Sequence, residues 1–522
     1  MNNKIRVLKC LTIIGVLALM NGFLLAQDTA KVFLEYEQNP SGSILPNFSY
    51  VGYRNGEVAI PENRQLKVFN VINYGAKPDD CISDKNAIRK AIKAAEKNGG
   101  GIVFFPKGRF LVNEDNDDRD LIVISESNII LRGSGSGVGG TELFMKNTMI
   151  PKDTTKMWST PCLFTTKSKD KTVSISRLLG TVPVGATSIY LKDPADLKRG
   201  DWLELRMKDN SPSLIKKELG IHDADAAWTA LVKGGVIVKM VFQVKEVSNN
   251  HIFLNATIPF EMNANNVWTA FKFANIEEIG LENIAFVGNW HEQFVHHRSW
   301  KDDTGFSLWH LNNVVNSWIV NCRFTDVNSG LTIGDGANIT VLNCTITGNG
   351  GHEAISNTGG TNILLANITD SAGAWHSVGV AGTSMNTVIY KANYPSNSCF
   401  ESHSSQPRNS LFDEVVGGLI NNRGGGAMEN RPNHMSNLIL WNYKQTNNPY
   451  HPFDFWPPKL NYCRFPMPII VGFEGGTNFI QEQLKYEEST GKAVLPASLY
   501  EAQLRLRLGR LPEWMNKILN KE

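Results

Sequence analysis

The feature that most constrains the fold is a repeat in the middle of the chain. Asn321, Asn343 and Asn367 share one position of this repeat, spaced 22 and 24 residues apart. Each lies among strand-length runs of alternating apolar residues broken by Gly or Asn. Such spacing without a helical period predicts a parallel β-solenoid, in which each coil places a residue above its equivalent in the next. Stacked asparagines can then exchange side-chain hydrogen bonds along the ladder.

The pattern of strands and turns divides the chain into segments. Residues 165–262 contain antiparallel-looking strands with charged turns, which predicts an inserted β-rich lobe. Coils such as NIEEIGLENIAFVGN (275–289) and MSNLILWNYKQTNN (435–448) follow it. The predicted segments are a signal peptide (1–26), an N-terminal extension (27–67), the solenoid start (68–164), the inserted lobe (165–262), the coils with a groove (263–448) and a C-terminal extension with a helix (449–522).

Two helices are predicted to pack on the solenoid. DKNAIRKAIKAAEKNGG (84–100) has apolar residues at helical spacing and ends at Gly-Gly. A helix over the first coil would cover its open apolar end, because exposed sheet edges promote aggregation. The spacing of Leu, Arg and Trp in SLYEAQLRLRLGRLPEWM (498–515) predicts a second helix on the solenoid surface.

The N-terminus has the composition of a secretory signal peptide. Three basic residues within the first nine positions precede an apolar run over 10–25, and Ala26 follows. The alternative is a membrane anchor, but the run is short and is interrupted by Asn21 and Gly22. We therefore expect a secreted or periplasmic protein, cleaved near Ala26, without a membrane span. Removing three cations changes the formal charge from +2 to −1, which gives no global field for nucleic acid.

Six cysteines remain after the signal peptide, and none forms a CxxC pair. Cys322 and Cys344 fall at the same position of adjacent repeats. Buried small apolar positions explain this better than a disulfide, so we expect free thiols there.

Two segments near the N-terminus resemble a known family. VFNVINYGAKPDD (68–80) and GGGIVFFPKGRFLV (99–112), together with the helix between them, resemble the opening of the pectate-lyase-like superfamily. That group includes polygalacturonase-type glycoside hydrolases and polysaccharide lyases. The resemblance implies an all-β, right-handed parallel β-helix with an N-terminal capping helix, here with an inserted β-rich lobe and a C-terminal helical tail. It also implies a secreted enzyme whose partner is a polysaccharide or oligosaccharide.

Candidate catalytic residues recur at one phase of the repeat, in the turn and strand after each Asn-containing strand. The segments there are FTDVNSGLTIGD (324–335), GNGGHEAIS (348–356) and AGAWHSVGVAG (372–382). We expect neighbouring coils to stack their polar residues on one stripe that faces a groove. The candidate catalytic residues are Asp326, His352, Glu353 and His376.

The polygalacturonase-type family carries Asn-Thr-Asp, Asp-Asp and Gly-His-Gly at this phase. Here the first motif keeps only Asp326 and the third keeps only His376, while the second reads His352–Glu353. The resemblance therefore implies the groove but not that family's standard inverting residue set.

Further polar and aromatic residues are candidates for contacting the substrate. They lie in the later coils and in WHEQFVHHRSWKDD (290–303), which we interpret as a loop beside the groove. The candidates are Trp300, Trp375, Glu401, His403, Arg408, Arg423 and Arg431. His296 and His297 are adjacent, so a strand would point them to opposite faces. No segment has strong metal-ligand spacing, and no metal ion or other cofactor is assigned. Calcium held by Asp or Glu, as in some relatives, stays possible.

Three functions stay open from the sequence. A lyase for a uronate-containing glycan needs a cation at the carboxylate, for which Arg408 or Arg431 is available, and a base such as His352 or His376. A hydrolase needs a carboxyl pair, for which Asp326 with Glu353 or Glu353 with Glu401 is available. The histidine- and arginine-rich face favours β-elimination in an acidic glycan. A non-catalytic glycan-binding solenoid is the third interpretation.

Overall fold

The computed structural model describes residues 28–62, 64–458 and 462–519. The predicted signal peptide lies outside the described residues. The described chain is mostly β, with long parallel sheets that are consistent with a parallel β-helix. No helix in the described ranges is both long and apolar enough to cross a bilayer.

Within the described residues, eighteen strands form the main sheet, and all the pairings between them are parallel. Its strands form two neighbouring ladders: the first contains Ser307–Leu311 and His376–Val380, and the second contains Val314–Val320 and Met385–Tyr390. Ser329–Leu342 and Glu353–Ala366 each span both ladders. The strands are Val68–Asn70, Gly101–Phe104, Ile122–Ile124, Ile129–Arg132, Phe164–Thr166, Ile276–Glu277, Gly280–Glu282, Ser307–Leu311, Val314–Val320, Ser329–Leu342, Glu353–Ala366, His376–Val380, Met385–Tyr390, Cys399–Ser402, Arg408–Asp413, Leu438–Trp441, Ile469–Val471 and Tyr486–Glu488.

A second parallel sheet closes the coils on another side. Its strands are Gly108–Val112, Thr141–Met145, Ala285–Val287, Arg323–Thr325, Thr345–Thr347 and Thr369–Asp370, and a short pair, Val416–Gly417 with Lys444–Gln445, continues this phase. The space between the sheets is filled by inward apolar side chains such as Leu281, Ile319, Val341 and Leu365. Cys322 and Cys344 belong to this core and are buried, as the repeat predicts.

The predicted asparagine ladder is present. The side-chain amide of Asn321 donates to Asn283 at 3.1 Å, Asn343 donates to Asn321 at 3.3 Å and Asn367 donates to Asn343 at 2.6 Å. All four residues have φ between 51° and 57°, a left-handed conformation that Asn tolerates better than most residues. The repeat therefore encodes both the turn and the hydrogen bonds that join successive turns.

A second ladder of asparagines was not predicted. Asn386 donates to Asn362, Asn409 to Asn386 and Asn437 to Asn409, at 3.2, 3.1 and 2.8 Å. It lies at the bend between the two ladders of the main sheet. Its spacing along the chain is similar to that of the first asparagine ladder. The surrounding residues vary more, so this second repeat is harder to recognise.

The inserted lobe is a closed antiparallel barrel with its own core. Its strands are Val173–Leu179, Ser188–Leu191, Trp202–Asp209, Val236–Ser248, His251–Leu254 and Trp268–Lys272. The predicted end at residue 262 is wrong, because Trp268–Lys272 closes the barrel by pairing with two of these strands. This strand resembles a solenoid strand in sequence, and only its antiparallel partners assign it to the barrel.

The helix Lys85–Lys97 covers the first coil as predicted. Its buried face contains Ala87, Ile88, Ala91, Ile92 and Ala95, which belong to the same apolar core as the inward residues of the coils. Burial of this stripe removes the apolar end of the solenoid from water.

The two terminal segments together cover the outer face of the second ladder. The helices Lys31–Gln38 and Leu499–Leu508 pack with outward residues of the ladder such as Leu411 and Ile439. Gln503 accepts a hydrogen bond from the backbone N–H of Phe48 at 2.8 Å. The predicted last coil at 448 is too early, because Ile469–Val471 and Tyr486–Glu488 extend the ladder.

The remaining helices are short. They are the α-helices Pro212–Leu219, Thr229–Val232, Trp300–Thr304 and Glu513–Leu519 and the 3-10 helices Tyr53–Gly56, Val71–Tyr74, Met428–Asn430 and Gln481–Gln483.

Asn343→Ala tests the ladder at its centre. The change removes the donor to Oδ1 of Asn321 and the acceptor of the Asn367 side-chain amide, and it places a Cβ-bearing residue without a polar side chain at φ 53°. We expect a loss of about 2–4 kcal/mol in the free energy of unfolding. Asn343→Gly is the control, because glycine removes the amide but not the left-handed conformation. Chemical denaturation should show a smaller loss for glycine, by about 1 kcal/mol. Equal losses would contradict the conformational part of this account.

Candidate functional site

The first ladder of the main sheet aligns polar residues from successive coils. Glu353 pairs in register with Ser329 on one side and with His376 on the other. Gly379, three positions after His376 on the same strand, pairs with Glu401 on the strand of the next coil. The sheet therefore brings two glutamates and a histidine to one place, although they are up to 48 residues apart in the chain.

Gly379 makes room between the two glutamates. A Cβ at this position would lie 3.1 Å from Oε1 of Glu353 and 3.3 Å from Cβ of Glu401. Gly425, which follows in a loop, has φ 74°, and a Cβ there would lie 2.1 Å from Oε1 of Glu401. The two carboxyl groups thus occupy space that the absence of two side chains provides.

The glutamates line a cleft of about 340 Å³. One wall comes from the segment around Cys162, which precedes the barrel, and another from the loop before Ser307. Residues that line it include Trp158, Cys162, Asp303, His310, His352, Glu353, Glu401 and His403.

Burial and mutual repulsion make it costly to ionise both carboxyl groups. Burial raises the pKa of Glu401 well above its usual range, and the nearby Glu353 carboxylate adds to the effect. Burial also raises the pKa of Glu353. Like charges that share a site of low polarity cannot both ionise easily, so such a pair tends to retain a proton. Oε1 of Glu401 accepts no hydrogen bond from any residue in the described ranges.

Imidazoles surround the carboxyl pair. Nε2 of His376 and Nε2 of His403 lie 3.5 Å and 3.8 Å from Oε1 of Glu401. The ring of His352 lies 5.4 Å from that of His376, measured between centroids. Burial, reinforced by the neighbouring histidines, holds the pKa values of His352 and His376 well below the usual range. These two rings are therefore neutral bases near pH 7.

The loop 290–303, interpreted from the sequence as a loop beside the groove, contributes residues directly to the site. The ring of His296 stacks on Trp375 at 5.1 Å and lies 5.4 Å from the ring of His352. Burial lowers the pKa of His296 to about 4. His296 and His297 point the same way and stack at 3.7 Å, because His297 has φ 58° and the loop turns there instead of forming a strand.

Asp303 is a site residue that sequence reasoning missed. It is buried at the end of this loop, where it accepts a hydrogen bond from the backbone N–H of His297 at 3.1 Å. Burial raises its pKa to about 6. Its position after Asp302 in a charged segment does not distinguish it from a surface residue in the sequence. His310, Trp158 and Cys162 were also missed, because no repeat position marks them.

Asp326 lies apart from the carboxyl pair. It follows the strand Arg323–Thr325 in a turn with φ 52°, where its Oδ1 accepts from the backbone and side-chain amides of Asn349 at 2.7 and 2.9 Å. Its counterpart in the next coil is therefore the turn near Asn349, three residues before His352. The prediction that Asp326 lies on one stripe with His352 and His376 is therefore wrong.

Two predicted substrate-binding arginines are instead buried in structural contacts. Arg408 donates to the Glu218 carboxylate at 2.8 Å and to the carbonyl of Ile237, which joins the barrel to the coils. Arg431 donates to the carbonyls of Gly425 and Gly426 at 2.7 Å. Both side chains are 1% exposed, so neither presents its charge to the cleft.

The other predicted contact residues divide into two groups. Arg423 stacks on Trp375, with its Cζ 3.2 Å from the ring centroid, and both lie beside His296. Glu401 and His403 line the cleft. Trp300 begins the helix Trp300–Thr304, where Lys301 lies over its ring at 5.9 Å, and it does not line the cleft.

Comparisons with known proteins place two parts of the chain. Residues 68–198 match the family described as rhamnogalacturonase A/epimerase, pectate lyase-like. Residues 373–518 match a domain of unknown function, DUF4955, and this range includes His376 and Glu401.

Individual relatives match shorter stretches. Alginate lyase 7 of Azotobacter vinelandii is 41% identical over 69 residues, which are 13% of this chain and 8% of the relative. Mannuronan C5-epimerase AlgE3 of the same organism is 38% identical over 69 residues, 13% of this chain and 4% of the relative. The chain thus spans less than a tenth of the length of either. Among solved structures, the tailspike gp61 of Pseudomonas phage phi297 is 11% identical with a TM-score of 0.48, covering 82% of this chain and 73% of the tailspike.

The segments that first indicated the family, 68–80 and 99–112, both fall inside the matched range. The resemblance is confirmed for this part of the chain: residues 68–198 are similar to the rhamnogalacturonase A/epimerase, pectate lyase-like family.

Proposed function

We propose that the protein cleaves glycosidic bonds of a polysaccharide, with Glu353 and Glu401 as the acid and base pair. The observation that supports this most strongly is the pairing of two carboxyl groups in one cleft, over a glycine that leaves space for them. The coils would form a right-handed parallel β-helix, and the chain would be secreted through its N-terminal segment.

Cleavage of a glycosidic bond by hydrolysis needs two carboxyl groups with different tasks. One carboxylic acid protonates the leaving oxygen, and one carboxylate acts as a base toward water or as a nucleophile. Glu401 is 2% exposed, whereas Glu353 is only partly buried. The more buried group is the harder to ionise, so we assign the acid role to Glu401 and the carboxylate role to Glu353.

β-Elimination in a uronate-containing glycan is the second candidate. The neutral imidazoles of His352 and His376 favour it, because a base must remove the proton beside the uronate carboxylate. The similarity over 69 residues to an alginate lyase also supports an acidic substrate. Against it, Arg408 and Arg431, the expected partners of that carboxylate, are occupied elsewhere. The burial of these two arginines in other contacts favours hydrolysis over β-elimination. A non-catalytic glycan binder is the remaining alternative.

An exposed aromatic side chain at the cleft, that of Trp158, provides a surface for a sugar ring. Trp158 is 75% exposed at the cleft wall. The ring of Trp375 is instead partly buried and already stacks with Arg423 and His296. An exposed apolar ring next to paired titratable groups is typical of a site that binds and processes a glycan.

A substrate panel tests the proposal and separates the alternatives. Uronate-rich and neutral polysaccharides would be incubated with the purified protein, and both new reducing ends and ultraviolet absorbance would be followed. Hydrolysis gives reducing ends without the absorbance of an unsaturated product, elimination gives both, and a binder gives neither. We expect new reducing ends without ultraviolet absorbance, as hydrolysis requires. No product from any glycan that the protein binds would contradict the proposed cleavage.

On a substrate found in this way, Glu353→Gln and Glu401→Gln should each lower kcat by about 10²-fold or more, because each removes a proton-transfer group but keeps the shape. Glu429→Gln is the matched control, since Glu429 is exposed on a nearby loop. His352→Ala should also lower kcat if elimination occurs. Near-normal turnover in both glutamine variants would refute the site.

Gly379→Ala tests the geometry of the pair without removing a titratable group. The added methyl group would contact both glutamates at little more than 3 Å and push them apart. We expect kcat to fall by about 10-fold or more, because misplacement of catalytic groups is costly, with a loss of about 1–3 kcal/mol in stability. Gly137→Ala is the control, since its methyl group would meet nothing within 4 Å. Unchanged turnover in Gly379→Ala would show that the close approach has no catalytic role.

A further inference from the structure

We propose that His296, His352 and His376 bind a divalent transition-metal ion of the zinc class beside the carboxyl pair. One ligand atom from each of these residues lies within 4.8 Å of the other two. The three come from a loop and two successive coils, which explains why no local spacing in the sequence indicated a metal site.

The arrangement of the rings is close to that of a three-histidine metal site. The ring centroids of His296 and His376 lie 5.4 Å from that of His352 and 6.2 Å from each other. With metal–nitrogen distances of about 2.0–2.1 Å and tetrahedral angles, ring centroids would lie about 5 Å apart. A shift of about 1 Å in His296, which lies on a loop, would complete the geometry.

His376 provides an independent observation. It is 1% exposed, and neither ring nitrogen has a hydrogen-bond partner among the residues that the structure describes. A buried polar group without a partner is rare and needs an explanation such as a bound ion. Nε2 of His376 lies 3.5 Å from the Glu401 carboxylate. Carboxylates in this position commonly orient an imidazole that binds a metal through its other nitrogen.

The donor set selects the class of ion. Imidazole nitrogen is a common ligand for zinc and other late divalent metals, whereas calcium and magnesium prefer oxygen. Three protein ligands leave one position open, as in catalytic zinc sites. His352 also forms a second group with His297 and Asp303, which competes with the proposed one and must be tested beside it.

If the proposed function holds, such an ion would explain how the cleft accepts an acidic sugar. Arg408 and Arg431 are buried in other contacts and cannot meet a uronate carboxylate. A cation at the three imidazoles would provide the positive charge next to Glu353 and Glu401. The substrate class would then be a uronate-containing glycan.

Zinc binding to the full chain can be measured without any substrate. After chelator treatment, titration with Zn²⁺ against a chromogenic chelator should show one equivalent bound with a Kd in the micromolar range or tighter. His296→Ala and His376→Ala should each weaken binding at least 10-fold, and X-ray absorption should show imidazole ligands. His291→Ala is the matched control, because His291 is exposed on the same loop and should bind zinc as the wild type does.

His296 is only partly buried, so its variant should fold even if loss of the buried His376 disturbs the core; circular dichroism would verify this. Failure of the wild type to bind zinc, or a preference for Ca²⁺ over Zn²⁺, would overturn the proposal. Loss of binding in His297→Ala but not in His296→Ala would also overturn it, in favour of the second group. Zinc binding is independent of turnover, so a protein that binds zinc but cleaves no glycan would refute only the proposed function.

Discussion

Parallel hydrogen bonding between successive coils is the constraint on which the structure depends. It places each residue directly above its counterpart, at a spacing of about 4.8 Å, and so turns positions distant in the chain into neighbours. Glu353 and His376 meet by this register, and Glu401 joins them from the coil after that. The asparagine ladders fix the register at the turns, since each side chain bonds to its equivalent in the next coil. A slip in register would separate the site.

Two features define the site: glycines that leave space for the carboxyl groups, and an environment of low polarity. Gly379 and Gly425 leave the space in which the carboxyl groups approach each other. Burial disfavours charge on the glutamates and on the nearby imidazoles alike. Joint ionisation of the two glutamates is therefore disfavoured, and the imidazoles beside them are held in the neutral form. The terminal segments cover the outer face of the neighbouring ladder and leave the ladder that carries the glutamates uncovered by these helices.

The coil architecture could be predicted from the sequence because it repeats. The ladder of Asn321, Asn343 and Asn367, the capping helix and the barrel insert all carry local patterns. The site was only partly predictable. Glu353, His376, Glu401 and His403 occupy repeat positions. Asp303 reaches the cleft, and His296 reaches the neighbouring His352, through a loop whose path no period encodes. The roles of Arg408 and Arg431 depend on partners from the barrel and from a glycine turn, which charge patterns do not reveal.

The most direct measurement is a crystal structure of the Glu353→Gln variant with a bound oligosaccharide from a cleaved polymer. The account predicts that the sugar chain lies in the cleft, with a glycosidic oxygen within hydrogen-bonding distance of the Glu401 carboxyl group. It also predicts that residue 353 lies at the same linkage. An oligosaccharide bound on another face of the coils, or one whose linkages all lie far from Glu401, would contradict it.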